Sequence, residues 1–285
     1  MIWGVVGRNW LKNMVPRYIN LTQKNIGDVS ELWIYPIKSC AGIQLKQSHL
    51  ERTGLVNDRR YMLVEGNGKF ITQRKYAQLA RVKLSIEGHK LGLSIDGFGQ
   101  SQLLLNSQKD ALVRAKIWDD QVDCFEVDRD VSAFFSNFLG ETVRLVQLAK
   151  PNGRTRQKNG LSYQSSFADA TPVLVTSSSS LEAINKQYDL KIPMNRFRPN
   201  IVVTGWEEWQ ERGRDRINIA NLDFNIAYDC TRCPVTTIDQ NSGKKTGKYP
   251  LASLLEMFPG EPALFGLRSA SNDEGLISVG DPCII

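Results

Sequence analysis

Residues 217–239 read INIANLDFNIAYDCTRCPVTTID. Leu222, Phe224, Ile226 and Tyr228 alternate with their neighbours, the period-two pattern of a strand that turns one face inward. That strand delivers Cys230 and Cys233 at its far end, with Arg232 between them, and the β-branched PVTTID is expected to continue extended. The same texture recurs along the chain. ELWIYPIK is a strand ended or bent by Pro36. RYMLV, EGNG and KFIT form a hairpin pattern, and Val82, Leu84 and Ile86 turn through EGHK into Leu91, Leu93 and Ile95 as a second. SQLLLN, LVRAKIW, VDCFEV, ETVRLVQL, TPVLVT, IVV and a closing GLISVGDPCII add further short strands. Such spacing predicts a barrel or sandwich, so the fold class is mainly β with a few helices, α+β. The predicted helices are three. DVSAFFSNFLG puts Phe134, Phe135, Phe138 and Leu139 on one face and ends at Gly140. SSSSLEAINKQ has capping-box spacing at Ser179 and Glu182, with Leu181 and Ile184 inward. YPLASLLEMF carries Pro250 near its first turn.

Residues 1–28 read as an N-terminal tail. AKPNGRTRQKNG, residues 149–160, is basic and rich in turn residues and is the natural place for a domain boundary or a lid, and GWEEWQERG reads as a surface loop. The 285 residues suffice for two modest domains with sizeable cores. A hydrophobic share of 41% and a charged share of 23% are those of an ordinary soluble globular protein. The formal charge of +6 comes from scattered Lys and Arg, which suits an anionic cofactor or substrate and makes nucleic acid an unneeded partner. No apolar run approaches the ~20 residues of a transmembrane segment, and the N-terminus lacks the layout of a secretory signal. Cys40, Cys124, Cys230, Cys233 and Cys283 are odd in number and irregular in spacing, so a cytoplasmic, reducing location without a disulfide framework is expected.

With only His49 and His89 present, a three-histidine zinc site is impossible, and candidate bases for a Ser–His or Cys–His nucleophile are scarce. No second CxxC completes a zinc site for Cys230 and Cys233, and an extended PVTTID does not suit a thioredoxin-like pair, which opens a helix. Two half-buried packing thiols remain one reading. The other is a metal ligand, because Arg232 would lower a neighbouring thiol's pKa and a thiolate suits a soft or thiophilic metal. Lys38, Arg59, Arg198 and Arg232 stand at apparent strand ends. Arg forks grip phosphate, and Asn200 could pair with a heterocycle edge. Asp169 and Thr171 precede an apolar strand. No P-loop or GxGxxG occurs, so any phosphate must be held by side chains and turns.

YPIKSC, NDRRY with TQR downstream, FADATPVLVTSSSSL, RFRPNIVV, CTRC with VTTID and SG after it, and the terminal VGDP run in one order from about Glu31 onward. Together they resemble the MOSC-domain family, in the branch of the mitochondrial amidoxime-reducing component and its bacterial relatives. That resemblance implies a MOSC N-terminal β-barrel domain over residues 29–148 packed on a MOSC β-barrel domain over residues 149–285. It implies a molybdenum cofactor, Mo-molybdopterin, with the metal on the second cysteine of the motif, Cys233. The pterin and its phosphate would be gripped by Lys38, Ser39, Arg59, Asp169, Ala170, Thr171, Arg198, Asn200, Thr231 and Arg232. Ala170 departs from the expected hydroxyl residue and could offer only its backbone. The implied reaction is two-electron reduction of small N-hydroxylated compounds: amidoximes, hydroxylamines and N-hydroxylated nucleobases. Asp169 is a candidate proton donor, or a hydrogen-bond partner of the pterin. The chain lacks the C-x4-C-x2-C run of a fused plant-type ferredoxin, so an external electron donor is expected, a ferredoxin, flavodoxin or cytochrome b5-like protein. Such donors are typically acidic, which a basic chain suits. The same family also contains cofactor-sulfurase domains. A sulfur-carrier or cofactor-handling role for the same cysteine, or a non-catalytic cofactor-binding module, is the alternative.

Overall fold

The computed structural model describes residues 26–105, 111–150 and 153–285. Most of the tail read over residues 1–28 lies outside them, but its last residues already belong to a strand, Ile26–Ile34. Ile26, Gly27 and Asp28 pair with Ile284, Cys283 and Pro282, and Asp28 to Leu32 pair with Thr204 to Ile201. This strand therefore closes a barrel. Its strands run Ile201–Thr204, Val173–Ser177, Leu264–Ser271, Leu222–Thr231, Arg216–Ile219, Pro282–Ile284 and Ile26–Ile34, which returns to the first. Only Val173–Ser177 and Ile201–Thr204 pair in parallel, and helix Ser178–Gln187 lies in the crossover between them. The barrel is filled by Val29, Leu32, Val175, Ile201, Val203, Phe224 and Leu267.

The first half also forms a sheet of Tyr61–Glu65, Val143–Leu148, Asp120–Glu126 and Leu112–Ile117, and a three-stranded sheet of Lys83–Glu87, Lys90–Ile95 and Gly99–Leu104, while Gln47–Glu51 pairs with Gly54–Leu55 and Gly275–Ser278. Helix Arg129–Leu139 packs Val131, Phe135 and Leu139 into the core these sheets share. Asp128 caps its first turn and Gly140 ends it with a φ of 69°. The mainly β, α+β class stands, with three α-helices among the described residues.

Several local expectations give way to tertiary contacts. PVTTID does not stay extended: Pro234–Thr237 is a 3₁₀ turn. Pro234 presets its first φ, and the hydroxyls of Thr236 and Thr237 donate to the carbonyls of Cys233 and Pro234. The alternation at 222–228 is also broken. Phe224, Ala227 and Cys230 are the buried residues of Leu222–Thr231, because the pairing with Leu264–Ser271 shifts register twice, at Ile226/Tyr228 and at Asp229/Thr231. The stretch 149–160 contains half of a hairpin: Arg154–Lys158 pairs with Leu161–Ser165. Asn159 and Gly160 make its turn at φ 50° and 78°, the Asn-Gly pattern of a tight hairpin.

The cap of helix Ser178–Gln187 is Ser177, so Ser179 falls inside the helix, where its hydroxyl donates to Trp206 O. GWEEWQERG is anchored rather than superficial, since Trp206 and Glu211 are buried and Ser180 Oγ donates to Glu211. GLISVGDPCII divides into two strands, Gly275–Ser278 and Pro282–Ile284, separated by a turn in which Asp281 N donates to Ser278 O and Ser278 N donates to Asp281 Oδ2. Leu264–Ser271 escaped the sequence pattern because Gly266 and Arg268 interrupt its apolar run.

Candidate functional site

Lys38, Ser39, Arg59, Asp169, Thr171, Arg198, Asn200, Thr231, Arg232 and Cys233 all line one cleft of ≈ 790 Å³, mouth included. Of the residues named from the sequence, Ala170 alone is not part of the lining. The chain reaches this cleft from both halves. Lys38 and Ser39 follow the first strand, Arg198 and Asn200 precede Ile201–Thr204, and Thr231 ends the bulged strand. Ser39, Arg59 and Arg198 hold φ values of 73°, 46° and 54°, in the left-handed region that non-glycine residues rarely occupy. Strain of this kind gathers where side chains must be aimed.

The aiming has visible partners. Arg59 and Arg198 lie on the Tyr35 ring, each guanidinium 4.2 Å from its centroid. Arg59 forks onto Asp58 at 2.7 and 2.8 Å, and Arg198 donates to Cys40 O at 2.7 Å. Asn200 is buried with its amide engaged by the chain itself: Oδ1 accepts from Leu174 N and Nδ2 donates to Trp33 O. Its side chain ties three segments together at the cleft wall, in place of offering both ends to a heterocycle. Thr171 Oγ1 likewise donates to Val173 O.

Lys38 is buried, and its ammonium donates to Phe167 O at 2.8 Å and to Asp169 Oδ1 at 2.5 Å. Burial pushes its pKa down to about 8, with Asp169 opposing. Burial raises the Asp169 carboxyl, but Lys38, Arg268 and Trp118 outweigh it and hold the group well below the usual carboxylate range. Asp169 is therefore ionised at neutral pH, a hydrogen-bond acceptor with no proton to give.

The two cysteines of the opening motif differ sharply. Cys40, Cys124, Cys230 and Cys283 are buried, and Cys233 is half-buried and lines the cleft. Arg232 turns its guanidinium inward, donating to Cys230 Sγ at 3.0 Å and to Phe197 O at 2.5 Å. Burial raises the Cys230 thiol, yet Arg232 and Arg268 bring it below the ordinary cysteine value. Arg232 thus acts on the inner sulfur, and Cys233 is the sulfur within reach. The buried Nε of Arg232 has no partner within the protein.

Sequence reasoning missed Arg268 and Trp118, and quoted Thr72 and Arg74 only within the TQR motif without giving them a role; all four line the same cleft. Arg268 had a signal, an arginine inside the apolar run LFGLRSAS. Trp118 had none, since an aromatic residue at a strand end usually packs. With Lys38, Arg59, Arg74, Arg198, Arg232 and Arg268 against the single carboxylate of Asp169, the cleft is built for an anion. Among the described residues no three His, Cys, Asp or Glu side chains gather as a metal-holding group.

Comparison with known proteins matches two family models to the chain. Residues 26–142 match the model of the MOSC N-terminal beta barrel domain, and residues 162–283 match that of the MOSC domain. Mitochondrial amidoxime reducing component 2 of Bos taurus is 32% identical over 282 residues, covering 91% of this chain and 83% of that protein. Mitochondrial amidoxime-reducing component 1 of Homo sapiens is 27% identical over 295 residues, covering 96% and 87%. Among solved structures, the YUAD protein from Bacillus subtilis shows a distant likeness, with a TM-score of 0.41 and 9% identity over 90% of this chain and 94% of that one. With both family models matched in order and the motif residues converging on one cleft, the chain belongs to the MOSC-domain family, as a member that carries the MOSC N-terminal β-barrel domain ahead of its MOSC domain.

Proposed function

We propose that this protein is a molybdenum-cofactor-dependent reductase of N-hydroxylated compounds, with Cys233 as the protein's ligand to the metal. The observation that carries this is the meeting, in one cleft, of the sole half-buried cysteine with six cationic side chains and one carboxylate. The donor set fits a dithiolene pterin with a phosphate tail: a reachable soft sulfur, a cationic cradle, and an unpartnered Arg232 Nε. When bound, the group would supply two-electron redox chemistry at an open metal position. The chain's own residues do the rest. Arg59 and Arg198, braced on Tyr35, present fixed positive charge to the phosphate. Asp169 accepts hydrogen bonds from Lys38 and Trp118 and has its carboxylate available to a pterin N–H. Lys38 Nζ is the proton-bearing atom of its pair with Asp169 at neutral pH. Asn200 and Thr171 position the wall through the backbone.

The relatives' names support the substrate class: they are amidoxime-reducing components. Electrons would come from an external ferredoxin, flavodoxin or cytochrome b5-like protein, for which the net charge of +6 suits an acidic partner. Five unpaired thiols suit a reducing, cytoplasmic setting. No helix among the described residues is long and apolar enough to cross a membrane. Because Cys233 is reachable, a sulfur-carrier or cofactor-handling role uses the same atom and is the second reading.

The test is metal and pterin analysis of protein made in a molybdenum-competent host, followed by turnover of an amidoxime with a reduced dye. Wild type is expected to hold molybdenum and to turn over. Cys233→Ala should lose turnover by at least ~10³-fold, while Cys230→Ala retains metal and loses about 1–3 kcal/mol of stability through its uncompensated Arg232. Metal without turnover favours the handling role, and absence of both metal and pterin sinks the proposal.

A further inference from the structure

The residues assigned to the cofactor leave part of the cleft lining over. Thr72, Arg74 and Trp118, all from the first half of the chain, face the same space. Trp118 is the first residue of a two-residue hairpin loop, since Ile117 and Asp120 pair directly. Its φ is 54°, a conformation in which a tight hairpin would ordinarily place glycine. An indole is kept at this costly position, and it is fixed there. Its Nε1 donates to Asp169 Oδ1 at 3.2 Å, and its ring meets Phe70 at 5.0 Å between centroids. The Arg74 guanidinium lies 4.7 Å over the indole, and Arg74 is exposed. Phe70, tilted 58° to the indole, backs Trp118, and the Arg74 guanidinium over the indole is the exposed outer member of this cluster in the cleft lining.

We propose that this Trp118–Arg74 pair, backed by Phe70, is the substrate-selecting wall of the site, binding planar, delocalised, uncharged N-hydroxylated compounds by their π-face. The assignment rests on the reductase reading for what is reduced, but not for what binds. A guanidinium plane and an indole both accept a conjugated ring or a C=N–O unit face to face. An aliphatic hydroxylamine has a tetrahedral nitrogen and no such face. A cationic ligand is disfavoured by Arg74 and the other five cleft cations. The tether from Nε1 to Asp169 holds the indole in place before a ligand arrives, which lowers the ordering cost of binding.

The experiment is equilibrium binding near neutral pH, without reductant, to the full chain as isolated with its cofactor. Benzamidoxime and N-cyclohexylhydroxylamine serve as probes of similar size with and without a π-face. The variants are Trp118→Gly, which suits the left-handed backbone, and Arg74→Gln, which changes an exposed residue. The benzamidoxime Kd is expected to rise roughly tenfold for Trp118→Gly and about threefold for Arg74→Gln, with less than about a twofold change for the cyclohexyl probe. KM values in the dye assay should divide the same way. Equal weakening of both probes, or no weakening of benzamidoxime in either variant, overturns the wall. Trp118-dependent binding of benzamidoxime by a protein that reduces no N-hydroxylated compound upholds the wall and sinks the reductase reading. Turnover of benzamidoxime with its Kd unchanged in Trp118→Gly does the reverse.

Discussion

Two buried titratable groups make opposite statements about pH. Lys38 carries its ammonium on Phe167 O and Asp169, and burial pushes its pKa from 10.5 down to about 8. Between those values the unfolded chain binds the additional proton, so stability rises with pH across that window. The cleft meanwhile loses one of its cations as pH passes about 8. Release of the bound pterin should therefore quicken above that pH in wild type and stay flat in Lys38→Arg, which keeps its charge; absorbance of the pterin after dilution reads this out. Glu211 runs the other way. Burial pushes its carboxyl from 4.5 up to about 7, only partly offset by Ser180. The folded chain then binds the additional proton between those values, and stability falls as pH rises from 4.5 to 7 and levels off beyond. Glu211→Gln should remove that slope and add about 1–3 kcal/mol above pH 7, measured by urea unfolding across pH.

At the scale of the element, the bulged strand Leu222–Thr231 decides where the sulfurs go. Its two register shifts rotate the strand end, so Cys230 faces the interior while Thr231 and Cys233 reach the cleft. Leu264–Ser271, the partner strand, accommodates this at Gly266, whose φ is 80° and which sits against Val173–Ser177 on its other side. A Cβ there would lie 2.7 Å from both Val175 O and Thr176 Cγ2. Gly266→Ala is expected to cost about 2–4 kcal/mol, read as a lowered urea midpoint with unchanged m-value. The strand texture and the three helices were legible because period and caps are local signals. The bulges were not, since a bulge is a property of two paired strands and INIANLDFNIAYDC holds only one side of the pair.

At the scale of the molecule, the barrel closes across a great distance in sequence. Ile26–Ile34 pairs with Ile201–Thr204 on one side and Pro282–Ile284 on the other. A fragment of residues 149–285 alone would leave both of those strands with an unpaired edge. Such a fragment should show no cooperative thermal transition, and co-expression with residues 26–148 should restore one; circular dichroism on heating checks both. The cleft needs the same union, because Lys38, Arg59, Arg74 and Trp118 come from the first half and Asp169, Arg198, Arg232 and Cys233 from the second.

By itself the amino-acid order determined the β class and the family motifs, which depend on residue type and near-neighbour spacing, and through the resemblance those motifs carry it pointed to half of the cleft lining. Tertiary structure alone decided which sulfur is reachable, that Asn200's amide is engaged with Leu174 and Trp33, and that Arg268 and Trp118 belong to the cleft. Each of those facts is set by burial or by a partner far away in the chain, and neither quantity exists until strands distant in sequence have paired.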